Sequence, residues 1–133
     1  MRDWMARRDD ALVDAVAGEE VATTNLWYAR LCKSAARASG GALLRGWDSE
    51  RRRALIAGLI ALPDDIAVVP MPDLAWRMGE LVAGHQGLST LGAEAVAAAM
   101  SLDGRLIVSV RDDGLGVRRC CESLGVGYET LDR

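Results

Sequence analysis

Apolar positions recur along this chain at two spacings, and the alternation between them predicts helices separated by short strands. Behind Asp9 and Asp10, the residues Ala11, Leu12, Ala15 and Val16 fall at helical spacing, and Gly18 supplies a small stop. Glu20-Val21-Ala22-Thr23-Thr24 is brief and β-branched, which predicts a strand. Asn25 then offers a cap to a helix whose Trp27, Tyr28, Leu31, Cys32 and Ala35 share a broad face and which should stop near Gly40-Gly41. Asp48 or Ser49 caps a third helix running through Leu62. Pro63 to Asp65 turn the chain into Ile66-Ala67-Val68-Val69, a compact run expected to be a buried strand, and Pro70 closes it.

Asp73 is placed to cap the next helix, with Leu74, Met78, Leu81 and Val82 as its apolar stripe and Gly84-His85-Gln86-Gly87 as a loop after it. Ser89 or Thr90 opens an alanine-rich helix with Leu91, Ala95, Ala98 and Leu102 on one face. Asp103-Gly104 reverses the chain into the strand Arg105 to Val110. A helix from Gly114 to Leu124 follows, stopped by Gly125, and then a last strand from Val126 to Leu131. Four strands alternating with helices predict an α/β protein, a mostly parallel sheet with helices on both faces and right-handed crossovers. No repeat or linker interrupts the pattern, so one domain over residues 1–133 is expected. Ligands of such sheets gather beyond the carboxyl ends of strands, here just after Thr24, Val69 and Val110.

Charge narrows this picture. Sixteen basic and nineteen acidic side chains leave a formal charge of −3, which excludes a strongly basic nucleic-acid clamp and leaves room for a local patch. The apolar runs, such as Ala95 to Met100, fall far short of the ~20 residues a membrane span needs. The first ten residues mix acids with bases and hold no apolar core, so no secretion signal is expected. Three cysteines, two of them adjacent at Cys120 and Cys121, argue for a reducing compartment and predict a cytoplasmic protein.

Candidate chemistry collects at the strand ends. After the first strand stand Thr24 and Asn25, then Arg30 and Lys33 on the following helix. After the strand at 105–110 stand Arg111, Asp112 and Asp113, and Glu94 opens the alanine-rich helix. Glu94, Asp112 and Asp113, with Glu80 able to project from the helix before and Asp14 as a further acid, are conceivable as a magnesium or manganese site, because a phosphodiester-cleaving centre needs several acids around its cations. Asp112-Asp113-Gly114-Leu115-Gly116 suggests a phosphate turn, but its two acids would repel an anion and a capped turn is the plainer reading. His85 is the one imidazole and Cys120-Cys121 lacks metal-site spacing, so zinc is not expected; Cys32 reads as a small buried hydrophobe. Arg45, Arg51, Arg52 and Arg53 form a candidate phosphate-binding face with Trp47 for stacking, against the plainer reading of a solvated helix start. Trp4, Trp27 and Trp76 read as core or interface residues.

The order helix, Val21-Ala22-Thr23-Thr24, two helices, Ile66 to Val69, helix, Leu88-Ser89-Thr90-Leu91-Gly92-Ala93-Glu94-Ala95, Leu106-Ile107-Val108-Ser109, helix, Gly125-Val126 resembles the PIN domain family over about residues 10–131. The resemblance implies a three-layer α/β/α sandwich with a mostly parallel four-stranded sheet. Active members of that family are magnesium- or manganese-dependent ribonucleases, many of them toxins of toxin-antitoxin pairs. This chain departs from their acids. It has no apolar run for the family's first strand with its Asp, so that strand is expected to be missing or to lie in a truncated start. The second acid falls on Arg30, the third on Gly92 with Glu94 two residues along, and the fourth near Arg111 beside Asp112 and Asp113.

The resemblance and these exchanges predict a PIN-like protein without catalysis, needing no cofactor. It would bind RNA or an antitoxin-like protein through a cleft made positive by Arg30, Lys33 and Arg111, with Thr24 and Asn25 beside them. The rivals are a divergent magnesium- or manganese-dependent ribonuclease using Glu94, Asp112 and Asp113, and a homodimeric interaction protein built on its tryptophans and alanine-rich helix.

Overall fold

The computed structural model describes residues 10–37 and 44–131, so Trp4 and the stop expected at Gly40-Gly41 lie outside the described residues. The chain divides into two compact units, one reaching to Val68 and one beginning at Val69. Its architecture is mixed α/β, with short strands arranged as two two-stranded sheets.

The first unit runs α1 (Asp10–Ala15), β1 (Val21–Thr24), α2 (Asn25–Ala36), α3 (Ser49–Ile60) and all but the last residue of β2 (Ile66–Val69), with β1 and β2 as hydrogen-bonded neighbours. Three of the four β1 residues are β-branched, and the strand passes into α2 without a loop. That continuity corrects the expected cap at Asn25: Thr24, in extended backbone, takes the cap position and Asn25 is the first helical residue. The apolar stripe of α2 meets α3 in a core of Leu31, Ala35, Leu44, Leu55 and Leu59, with Tyr28, Cys32 and Trp47 packed against it. The Tyr28 hydroxyl donates to the Leu59 carbonyl at 2.5 Å, tying the two helices. Asp48 caps α3, accepting from the Arg51 N–H at 2.8 Å, and that bond holds its carboxyl below the usual carboxylate range. The helix ends at Ile60 rather than at Leu62, because Ala61 has already left helical backbone ahead of Pro63. In β2 the two ends are buried while Ala67 and Val68 are exposed, so the fully buried strand expected there is half-buried.

The second unit holds α4 (Met71–Gly84), α5 (Thr90–Ser101), β3 (Arg105–Ser109), a 3-10 turn (Val110–Asp112), α6 (Leu115–Leu124) and β4 (Gly127–Leu131). Pro70 occupies the cap of α4 and Pro72 lies in its first turn, where a missing N–H costs nothing; Asp73 therefore falls inside the helix instead of capping it. Leu74, Met78 and Leu81 are buried, but Val82 is exposed. Ser89 caps α5 by accepting from the Gly92 N–H at 3.0 Å.

The expected one-sided stripe on α5 is overturned. Gly92, Ala93, Glu94, Val96, Ala97, Ala98 and Ala99 are all buried while Leu102 is exposed, because α4, α6 and β3 surround the helix. Small side chains let those neighbours approach: a Cβ on Gly92 would stand 2.7 Å from Val117 Cγ2. Strands β3 and β4 pair in parallel, with Arg105 opposite Gly127 and Ser109 opposite Leu131. Gly125, at φ 69°, ends α6 as expected. Val126 N–H reaches the Cys121 carbonyl at 2.9 Å and Gly125 N–H the Glu122 carbonyl at 3.4 Å, which together satisfy the open helix end.

Candidate nucleic-acid interface

The strand-to-helix passage at Thr24 sets the first candidate site. Thr23 and Thr24 are buried, Asn25 is exposed, and α2 carries Arg30 and Lys33 outward into solvent. The Arg30 guanidinium lies over the Trp27 ring at 5.4 Å from its centroid, one turn back along the helix. On α3 the same pairing recurs: Arg51 lies over Trp47 at 5.0 Å. Arg52 Nη2 donates to the Arg37 carbonyl at 3.3 Å, which links the start of α3 to the end of α2.

Charge is concentrated on this pair of helices. Residues 25–60 carry seven basic and two acidic side chains, whereas the rest of the chain carries nine basic and seventeen acidic ones. Two half-buried indoles, each covered by a guanidinium, thus lie in the basic stretch of an otherwise acidic chain. Such a stretch is suited to backbone phosphates.

The remaining candidates belong to the second unit. Arg111 and Asp112 are exposed in the 3-10 turn, where Ser109 Oγ accepts from the Arg111 N–H at 3.3 Å. Asp113 is half-buried and already engaged: Oδ1 accepts from the Tyr128 hydroxyl at 2.7 Å, and Oδ2 from Arg118 Nη2. Glu94 is fully buried inside α5. Among the described residues no group of three His, Cys, Asp or Glu side chains is placed to hold a metal ion, so Glu94, Asp112 and Asp113 are not brought together as one. Gly116 of the supposed phosphate turn has a packing cause, since a Cβ there would stand 2.6 Å from the Gly87 carbonyl oxygen.

Other residues are likewise occupied. His85 shares hydrogen bonds with the Leu81 carbonyl and with Ser123 Oγ, each at 3.1 Å, and Ser89 serves as a cap. Cys120 and Cys121 are buried free thiols; burial pushes both up, Cys121 to about 11. Trp76, expected in a core or interface, is 82% exposed in this single chain. Among the described residues no helix is long and apolar enough to cross a membrane.

The Asp113–Tyr128 contact was not foreseen, because it joins residues on different elements. Burial and then the bond to Asp113 push the Tyr128 phenol up to about 12 from its ordinary 10.0. The phenol is raised in the folded state, so its contribution to stability is complete below pH ~10 and is lost as pH rises through ~12. In a Tyr28→Phe background, phenolate absorbance should give the raised value, and Asp113→Asn should lower it part of the way, leaving the burial effect. An unchanged titration in Asp113→Asn would contradict the role given to this bond.

No family model matches the chain, and no curated protein matches it significantly.

Proposed function

We propose that this is a PIN-like protein, a three-layer α/β/α sandwich whose four strands belong to one mostly parallel sheet, that holds single-stranded nucleic acid without cutting it. The observation that carries the reading is Arg30: exposed, in the second turn of the helix that follows β1, and stacked on Trp27 in the most basic stretch of the chain. By the resemblance, Arg30 occupies the position of the family's second acid. A guanidinium there contacts phosphate oxygens directly, where an acid would recruit a cation to do so. Lys33 adds a second charge one turn on. Thr24 and Asn25 stand beside them in the same unit in this reading, and no metal takes part.

Binding of a labelled single-stranded RNA of ~12 nucleotides, followed by fluorescence anisotropy across a salt series, tests this. The logarithm of affinity should fall with log salt by about 0.7 for each phosphate neutralised, and Arg30→Ala and Lys33→Ala should each flatten the slope by about that amount. Chelator should leave binding unchanged. Manganese-dependent shortening of the RNA that chelator stops would replace this reading with the ribonuclease. Absence of binding at low salt would end it.

A further inference from the structure

His85, the one imidazole of the chain, follows α4 as its cap, and its ring is held at both nitrogens. Nδ1 lies 3.1 Å from the Leu81 carbonyl, and Nε2 lies 3.1 Å from Ser123 Oγ in the last turn of α6. A carbonyl only accepts, so Nδ1 carries the hydrogen and, in the neutral ring, Nε2 keeps its lone pair. That lone pair faces a hydroxyl. Ser123 Oγ also stands 2.9 Å from the Cys120 carbonyl, which lies inside α6 and takes the Leu124 N–H of the helix ladder. The serine hydrogen is therefore free to go to Nε2. Ser123 is exposed and His85 half-buried, so a reagent can reach the hydroxyl. Leu81, His85 and Ser123 all belong to the unit that begins at Val69.

We propose that Ser123 is a nucleophile with His85 as its general base, and that it takes an acyl group from donors whose leaving group is far more acidic than an alcohol. A hydroxyl, a base within hydrogen-bond reach and a third group that orients the base are the parts such a centre needs. In the step, the Ser123 Oγ–acyl carbon bond forms as the hydroxyl proton passes to His85 Nε2. The bond from the acyl carbon to the leaving group then breaks, and Nε2 returns the proton to that group. The Leu81 carbonyl is the positioning group, since it fixes which nitrogen is free. The class of donor follows from where the pair sits. Both residues stand at helix C-terminal ends, which present carbonyls rather than N–H groups. Such ends give an oxyanion no support, so peptides and alkyl esters stay intact and activated acyl compounds react.

The full chain treated with p-nitrophenyl acetate, quenched in acid and mapped by peptide mass, tests this. Acetyl should accumulate on Ser123 about a hundredfold faster than on Ser49 and Ser101, which are also exposed and have no imidazole of their own. That comparison lies within one protein and needs no variant. His85→Gln should slow Ser123 to the rate of Ser101, with unchanged circular dichroism, because the Leu81 carbonyl keeps the backbone N–H of residue 85 at 3.0 Å. Ser123→Ala should lower nitrophenolate release. Release that needs Ser123 while no acetyl stays on it means that water takes the acyl group on, and supports the same assignment. A Ser123 that carries no more acetyl than Ser101, with equal release from the Ser123→Ala variant, overturns the proposal. So does a His85→Gln variant that acetylates Ser123 at the original rate. None of these outcomes depends on RNA binding.

Discussion

Truncating Leu55 to Ala is expected to cost about 2–5 kcal/mol, the range for emptying a buried leucine site. Leu55 is 0% exposed and sits in the core that joins α2 to α3. The cavity would open beneath the helices that carry Arg30, Lys33 and Arg51, so nucleic-acid affinity should fall together with stability. Urea unfolding followed by tryptophan fluorescence measures the first effect, since Trp27 and Trp47 both belong to this unit. Ile60→Ala on the same helix is the control: Ile60 is 83% exposed, and the change should stay within ~0.5 kcal/mol. Equal losses in the two variants would mean that the core of this unit is not where α3 packs.

Gly116→Ala should destabilise by about 1–3 kcal/mol, although alanine is the better helix former. The new Cβ would stand 2.6 Å from the Gly87 carbonyl oxygen, a backbone atom that cannot rotate away. Gly79→Ala makes the same chemical change where nothing lies within 4 Å, and it should stabilise by about 0.5–1 kcal/mol. Opposite signs from one substitution type would separate close packing from helix propensity. Thermal unfolding of the pair provides the measurement, and a stabilising Gly116→Ala would show that α6 does not press on the Gly87 loop.

Much of the helix and strand order was legible because its signals are local. Asp48 and Ser89 each bond an N–H three residues ahead, and Gly125 turns left-handed at its own position, so neighbouring residues settle all three. The caps assigned to Asn25 and Asp73 failed where local signals compete. A strand running straight into α2 moved one boundary, and two prolines moved the other. The basic character of α2 and α3 could be read directly, but the stacking of Arg30 on Trp27 and of Arg51 on Trp47 needed the positions of the side chains.

The carboxylates show the other limit. Glu94, Asp112 and Asp113 look alike as letters beside strand ends, yet one is buried within α5, one is exposed, and one is held by Tyr128 and Arg118. The tryptophans divide in the same way, with Trp47 against the core and Trp76 in water. Spacing along the chain settled periodicity, caps and where charge accumulates, because those depend on atoms a few residues apart. Burial and hydrogen-bond partners were settled by packing, because desolvation is imposed by whichever distant elements fold against a residue, and period alone does not name them.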